Sequence, residues 1–412
     1  MSKETFIQQA EFQEILQKAR DIRSTPFSDI TDKEGNQYVD LVQEGGGVLG
    51  IALVGYTYVL EEAGIRFFSL AGTSAGAINT LIMAGIGPIN ERKSDQILDV
   101  LSSQNLFDFV DGDPTLKKII QQGIDGTPLK KLKWKLLWNI KKLKKALFED
   151  LGLNPGEAFE KWIEQILRNS KAHLYTIGEL IELRKKENFP VGLIYNDKPI
   201  NDEKAAVHII TSDITTQSKV RFPEMAELYW GEHYNVIPAA KIVRASMSVP
   251  LFFKPFEIKN IPNAGEPANT EWKKLTGYTG PIPETVKFVD GGMISNFPIN
   301  VFHRSDGGIP RKPTFGVKLS AYRDEYSEVD DIGSLIGSMV STMRHDGDNE
   351  FLINNPDYQK LICFIDADKT FKWLNFNMST ERQQKLFLLG AQKAISFLEK
   401  FDWIKYKELR SS

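Results

Sequence analysis

Apolar and polar positions along the chain fall into a repeated unit. Tyr38 to Val42 reads as a strand, Gly45 to Gly47 as a tight turn, and Val48 to Ala63 as a helix stopped by Gly64. Phe67 to Ala71, Gly72 to Gly76 and Ala77 to Ala84 then repeat strand, turn and helix. Two such units in succession predict an α/β fold with parallel strands. Apolar runs at Val207 to Thr211, Lys287 to Val289, Thr314 to Leu319 and Leu361 to Ile365 read as further strands, and Ser379 to Phe401 as a long closing helix.

The rest of the chain departs from this pattern. Residues 5–23 read as one amphipathic helix with Phe6, Phe12, Ile15 and Leu16 on one side, followed by a polar linker from Ser24 to Asn36. Residues 1–36 are therefore expected to be an N-terminal extension, and 37–412 one domain. Within it, residues 88–205 fit the sheet pattern poorly and read as a mostly helical insertion or cap. Residues 257–283, rich in Pro, Asn and Gly, read as a loop.

Composition narrows the class of protein. The chain has 412 residues, 42% of them hydrophobic, enough for one large core with an insertion. A formal net charge of −3 gives no global attraction to nucleic acid. A single cysteine, Cys363, excludes an internal disulfide framework and suits a reducing compartment. Met1 to Arg23 is too polar for a secretory signal, no apolar run is long enough to span a bilayer, and there is no prenylation box. The expectation is a cytoplasmic protein, free or held at the inner face of a membrane.

Gly72-Thr73-Ser74-Ala75-Gly76 matches the pattern Gly-x-Ser-x-Gly between a predicted strand and helix. A serine on such a sharp turn points its Oγ out of the sheet edge, and the flanking glycines tolerate the strained backbone. The helix that follows turns amide N–H groups and a partial positive charge toward that point. A turn chosen for packing alone would share the bare pattern.

Gly45-Gly46-Gly47-Val48-Leu49-Gly50 also follows a strand and opens a helix. Three consecutive glycines expose backbone N–H groups that can hold a phosphate or a developing oxyanion. A dinucleotide loop is a poorer reading. Glu61 and Glu62, about twenty residues on, lie on the predicted helix and not at the end of a second strand.

A nucleophilic serine needs a proton acceptor. Of the five histidines, His173, His208, His233, His303 and His345, none stands in an obvious loop motif, although His303 and His345 allow a Ser, Asp, His order. Asp290 in Val289-Asp290-Gly291-Gly292 is the better candidate, because it ends an apolar strand as Ser74 does. Met293, Ile294 and Phe297 could supply the apolar surroundings that make a carboxylate a stronger base. An Asx turn remains the alternative for this motif.

Taken in order, these loops resemble the patatin-like phospholipase family. The resemblance rests on Gly45 to Gly50, Gly72 to Gly76, Asp290-Gly291-Gly292, and the segment Ala245 to Pro255 between elbow and acid. It runs from about Tyr38 to Ser320 and leaves 88–205 largely unmatched. It implies a three-layer α/β/α sandwich with a mainly parallel sheet. It also implies a Ser74–Asp290 dyad without histidine, an oxyanion site from Gly45, Gly46 and Gly47, no metal and no cofactor. The substrate it implies is an ester-linked fatty acid of membrane lipid. Two positions depart from the family pattern. Leu49 stands where Arg or Lys is usual, and Glu44 where Asp is common, so the loop's anchor and the headgroup's partner are left unassigned.

Pro128 to Phe148 is lysine-rich. On one helix, Leu129, Leu132, Leu136, Ile140, Leu143 and Leu147 would form a stripe, with Trp134, Trp138, Lys141 and Lys142 on the remaining surface. Such a helix suits an anionic membrane surface, although a solvated helix packed by its leucines would look the same. The sequence thus points to a phospholipase A-like lipid acyl hydrolase in peripheral contact with membrane. Alternatives are a soluble esterase with a Ser-Asp-His triad, or a silent lipid- or nucleotide-binding module. An activator or a second copy of the chain is open as a partner, and no nucleic acid is expected.

Overall fold

The computed structural model describes residues 2–124, 129–185, 192–200, 205–304, 308–320, 326, 329, 338–339, 341–343 and 349–411. The chain begins with helices α1 (Glu4–Ile7) and α2 (Ala10–Asp21). The single helix expected over 5–23 is thus broken at Gln8 and Gln9, and Gln9 adopts an extended conformation with φ −62° and ψ 127°. The break turns Phe6 and Phe12 onto the Phe387 ring, at 5.4 and 4.9 Å between centroids.

Next come β1 (Gln37–Gln43), α3 (Gly50–Glu62), β2 (Ile65–Thr73) and α4 (Ala75–Gly85). This is the predicted double unit. The next stretch is mainly helical where it is described: α5 (Ser94–Ser103), α6 (Pro114–Ile124), α7 (Leu129–Trp138), α8 (Ile140–Lys144), α9 (Glu157–Asn169) and α10 (Ile177–Leu183). Short strands β3 (Gly152–Asn154), β4 (Ile194–Tyr195) and β5 (Lys198–Pro199) lie among and after them. The chain continues through β6 (Val207–Asp213), β7 (Ser218–Phe222), α11 (Ala226–Trp230), α12 (Ala240–Ser246), β8 (Leu251–Phe253) and β9 (Phe256–Lys259). Then follow α13 (Thr270–Thr276), β10 (Thr285–Asp290), β11 (Thr314–Lys318), β12 (Ile362–Phe364), the closing helix Thr380–Lys400 and the C-terminal helix Trp403–Ser411.

The sheet runs in the order β12, β11, β1, β2, β6, β10, β9, with β7 also on β6. The pairs from β12 to β6 are parallel, whereas β7, β10 and β9 join antiparallel. With helices packed around it, this is an α/β sandwich with a mainly parallel central sheet. Strands buried on both faces need continuous apolar runs, and β1 and β2 are buried along their whole length. Helix α3 is buried nearly all round for the same reason. It crosses the closing helix closely enough that a Cβ on Gly55 or Gly390 would strike the other helix's backbone.

Two expectations need correction. Residues 257–283 are not only loop. Asn269 Oδ1 accepts from Trp272 N–H at 3.0 Å and starts α13, which Gly277 ends at φ 74°, and Trp272 is buried. The lysine-rich segment is not one helix either. Asn139 interrupts it after α7, and Lys145–Glu149 follows α8 as a π-type turn. Among the described residues, no helix is long and apolar enough to cross a membrane.

Candidate active site

Ser74 caps α4 directly after β2, with φ 51° and ψ −116°. A non-glycine residue holds such a conformation only when its surroundings enforce it. Here Gly72 packs on the Gly76 carbonyl and Gly76 on the Gln43 carbonyl, so neither position has room for a Cβ. The Ser74 N–H donates to Ser246 Oγ at 2.9 Å, and that hydroxyl donates to the Ile210 carbonyl at 2.6 Å. On the preceding residue, Thr73 Oγ1 donates to the Ser295 carbonyl at 2.9 Å.

Asp290 arrives at the same place from the opposite direction. β2 pairs with β6 from Val207 to Ile210, and β10 pairs with β6 from Thr211 to Asp213. Strand β7 occupies the other edge of β6 from Ile209 onward. β2 and β10 therefore share one edge of β6 and meet end to end, with Thr73 opposite Ile210 and Asp290 opposite Thr211. Successive positions on a strand are about 3.3 Å apart. The contact is tight: a Cβ on Gly291 would strike the Ile210 carbonyl and the Thr73 methyl. Gly292 N–H donates to Asp290 Oδ1 at 2.7 Å and orients the carboxylate, and Asp290 N–H donates to the Ser248 carbonyl at 2.8 Å. Ser246 and Ser248 thus hold the backbones of both residues.

The glycine loop lies against Ser74. The Gly45 Cα faces Ser74 Cβ, and Gly50 packs on Ala75. Glu44, fully buried, anchors the loop by accepting from Leu319 N–H (2.5 Å), Ser320 N–H (2.9 Å) and Ser320 Oγ (2.6 Å). Lys318 Nζ lies 3.8 Å from the same carboxylate. The Trp373 carbonyl accepts from Val48 N–H at 3.0 Å and packs on Gly47, whose φ is 55°. Leu49 is buried in the core, so the loop's anchorage comes from Glu44 and needs no basic side chain at that position. Of the three expected donors, Gly45 is spent, because its N–H donates to the Asn296 carbonyl at 3.0 Å. Among the described residues, the Gly46 and Gly47 N–H groups have no hydrogen-bond partner.

Ser74 opens into a pocket whose wall is almost wholly apolar. The core side contributes Ile51, Val54 and Ile78, and the stretch after α4 contributes Leu101, Phe109 and Trp162. Phe376 closes another side and stacks on Phe252, with ring centroids 5.3 Å apart. Asn79 is the polar exception. Its Nδ2 donates to Gln43 Oε1 at 2.6 Å, and its buried Oδ1 has no partner. No described histidine lines this pocket. His208 lies within β6 opposite Ala71, and His303 packs on the Phe351 and Tyr358 rings. His345 lies outside the described residues.

Trp134 and Trp138 are 67% and 85% exposed. Leu137 and Phe148 add exposed apolar surface, and Lys141 and Lys142 are exposed on α8. Only part of the leucine stripe is covered, as Leu132 joins Leu116, Ile119 and Ala146 in a small separate cluster. Pro128 and the side chains of Leu129, Lys130, Lys131, Lys133 and Leu136 lie outside the described residues. The sequence pattern did not single out Asn296 and Trp373. Neither belongs to a glycine motif, and only the tertiary structure brings them to the loop. Ser246 stood within the segment Ala245 to Pro255, but its role as acceptor for Ser74 N–H had no local signal.

A sequence model described as patatin-like phospholipase matches residues 41–303. The "Uncharacterized protein YqhO" of Bacillus subtilis (strain 168) is 28% identical over 368 residues, which is 89% of this chain and all of the relative. Among solved structures, VipD from Legionella pneumophila aligns with 91% of this chain and 70% of its own, at 13% identity and a TM-score of 0.42.

Proposed function

The chain belongs to the patatin-like phospholipase family, and from that premise we propose that it cleaves fatty-acyl esters of membrane phospholipids, with Ser74 as nucleophile and Asp290 as its base. The observation that carries this reading is the end-to-end meeting of β2 and β10 on β6, with Ser74, the residue after β2, on the wall of an apolar pocket. The pocket suits an acyl chain, since burying methylene groups is favourable by about 0.8 kcal/mol each.

In the first step Ser74 Oγ attacks the ester carbonyl and its proton passes to Asp290. The Gly46 and Gly47 N–H groups, which need no partner elsewhere, receive the charge that develops on the carbonyl oxygen. The C–O bond to the lysolipid breaks, and the departing oxygen takes the proton from Asp290. Water then attacks the acyl-enzyme, giving a proton to Asp290, and the fatty acid leaves as Ser74 regains its hydrogen.

The reading includes docking on an anionic bilayer through Trp134, Trp138, Lys141 and Lys142. Exposed tryptophans suit the headgroup level, and lysines attract anionic lipid. Exposed Phe148, Leu151 and Leu251 extend the apolar surface toward the pocket wall at Val249 and Phe253.

The test is fatty-acid release from vesicles containing anionic phospholipid by the wild type, Ser74→Ala and Asp290→Ala, after circular dichroism shows that all three fold. Release by the wild type alone is expected, with a fluorophosphonate probe labelling only chains that retain Ser74. Release that survives Ser74→Ala would overturn the assignment.

A further inference from the structure

The apolar pocket at Ser74 is not the only cavity. A second one, of about 270 Å³, lies beside the residues that start β11 and precede β6 and β12, namely Thr314, Ala206 and Leu361. Ser74 leaves the opposite, C-terminal end of the parallel strands. The reading of Ser74 as a hydrolase nucleophile makes no use of this second cavity.

Its chemistry is the reverse of the first. Arg304, Arg311, Lys312 and Arg410 line it together with the phenols of Tyr358 and Tyr406. Among the described residues of the wall, the one carboxylate is Asp40, 3.2 Å from Lys312 Nζ. Asp357 stands behind the wall, with an oxygen 3.0 Å from Arg410 Nη1. Arg410 belongs to the C-terminal helix and is mostly buried, and its Nε has no hydrogen-bond partner. His303 packs on Tyr358, and its imidazole is held below its ordinary range, first by burial and then by the Arg410 charge, against the pull of Asp357.

We infer that this cavity binds a phosphate-bearing small molecule, with the guanidinium groups of Arg304, Arg311 and Arg410 and the ammonium of Lys312 around the phosphate. A phosphate ester carries nearly two negative charges at neutral pH and three acceptor oxygens. Guanidinium forks match those oxygens in pairs, and the Tyr358 hydroxyl can donate to one left over, whereas the Tyr406 hydroxyl already donates to Asp357. A ligand there would tie the C-terminal helix to the start of β11 through Arg410, Lys312 and the Arg304 segment. It would therefore raise the melting temperature of the whole chain.

The experiment uses the full chain in a low-salt chloride buffer. Inorganic phosphate, pyrophosphate and glycerol 3-phosphate are titrated by calorimetry and by thermal shift. Saturable binding of pyrophosphate with a raised Tm is expected, weakened at least about tenfold in the double variant Arg304→Gln/Arg311→Gln. Ala206→Phe fills the cavity without changing its charge and should abolish binding, provided that its circular dichroism matches the wild type. Glycerol 3-phosphate binding tighter than pyrophosphate would identify a lipid headgroup as the ligand class, and the reverse a soluble phosphate compound. Absence of saturable binding by all three probes would overturn the inference, as would binding unchanged in both the double variant and a folded Ala206→Phe.

Discussion

Thr73 and Asp290 take neighbouring places on one edge of β6, Thr73 opposite Ile210 and Asp290 opposite Thr211. Ser74 is the residue after Thr73, so the proposed nucleophile and base stand where two antiparallel strands meet end to end. Sheet hydrogen bonds fix that meeting point, and a sheet is stiffer than a loop. This placement can hold two reacting groups in register without a histidine to bridge them.

Ser246 should be a positioning residue for Ser74. In Ser246→Ala the Ser74 N–H loses its acceptor and the Ile210 carbonyl loses a donor, both in buried surroundings. We expect a stability loss of about 1–3 kcal/mol by urea denaturation. The kcat should fall about tenfold or more with KM little changed, because the nucleophile and not the pocket is displaced. A fall in stability with normal kcat would assign Ser246 a structural role only.

Gly47→Ala should damage the loop by two routes. At φ 55° an added Cβ costs about 1–2 kcal/mol, and here it would also strike the Trp373 carbonyl. Gly35 has a φ of 76° in open space, so Gly35→Ala carries the backbone cost alone. Both variants should melt earlier than the wild type, and only Gly47→Ala should lose ester hydrolysis. Equal activity in the two would remove Gly47 from the proposed oxyanion site.

Trp134→Ala/Trp138→Ala should weaken attachment to anionic vesicles, and Lys141→Glu/Lys142→Glu should do so in a salt-dependent way. Co-sedimentation with vesicles reads the first effect directly. The ratio of activity on vesicles to activity on a soluble short-chain ester should fall about tenfold, since each lysine near such a surface contributes roughly 1 kcal/mol. An unchanged ratio in both pairs would mean that this face meets something other than lipid.

His208 should make the fold acid-sensitive. Burial lowers its imidazole from 6.5 to about 4, against the pull of Glu224, whose carboxylate is 3.7 Å away. Between those values the unfolded chain binds a proton that the folded chain refuses, so stability falls as pH drops through the window. His208→Gln should flatten this dependence by up to about 1 kcal/mol per pH unit. Urea midpoints across the window would check it, and parallel curves for the two proteins would place the acid sensitivity elsewhere. Glu224 is held below its ordinary range, first by its hydrogen bond to Arg221, so its own loss comes at lower pH.

Local pattern determined much of this protein. The apolar runs of β1 and β2, the glycine turns after them and the helices that follow are readable because strand, turn and helix are set by neighbours a few residues apart. Ser74, Asp290 and the glycine loop are recognisable for the same reason, as each chemistry needs its own turn. Tertiary structure decided what lies between distant segments. It spends the Gly45 N–H on Asn296 and anchors the loop through Glu44 on Leu319 and Ser320. It also breaks the lysine-rich segment at Asn139 and gathers Arg304, Lys312 and Arg410 around one cavity. Hydrogen bonds and charges of that kind join residues far apart in the chain, and no local periodicity records which of them will meet.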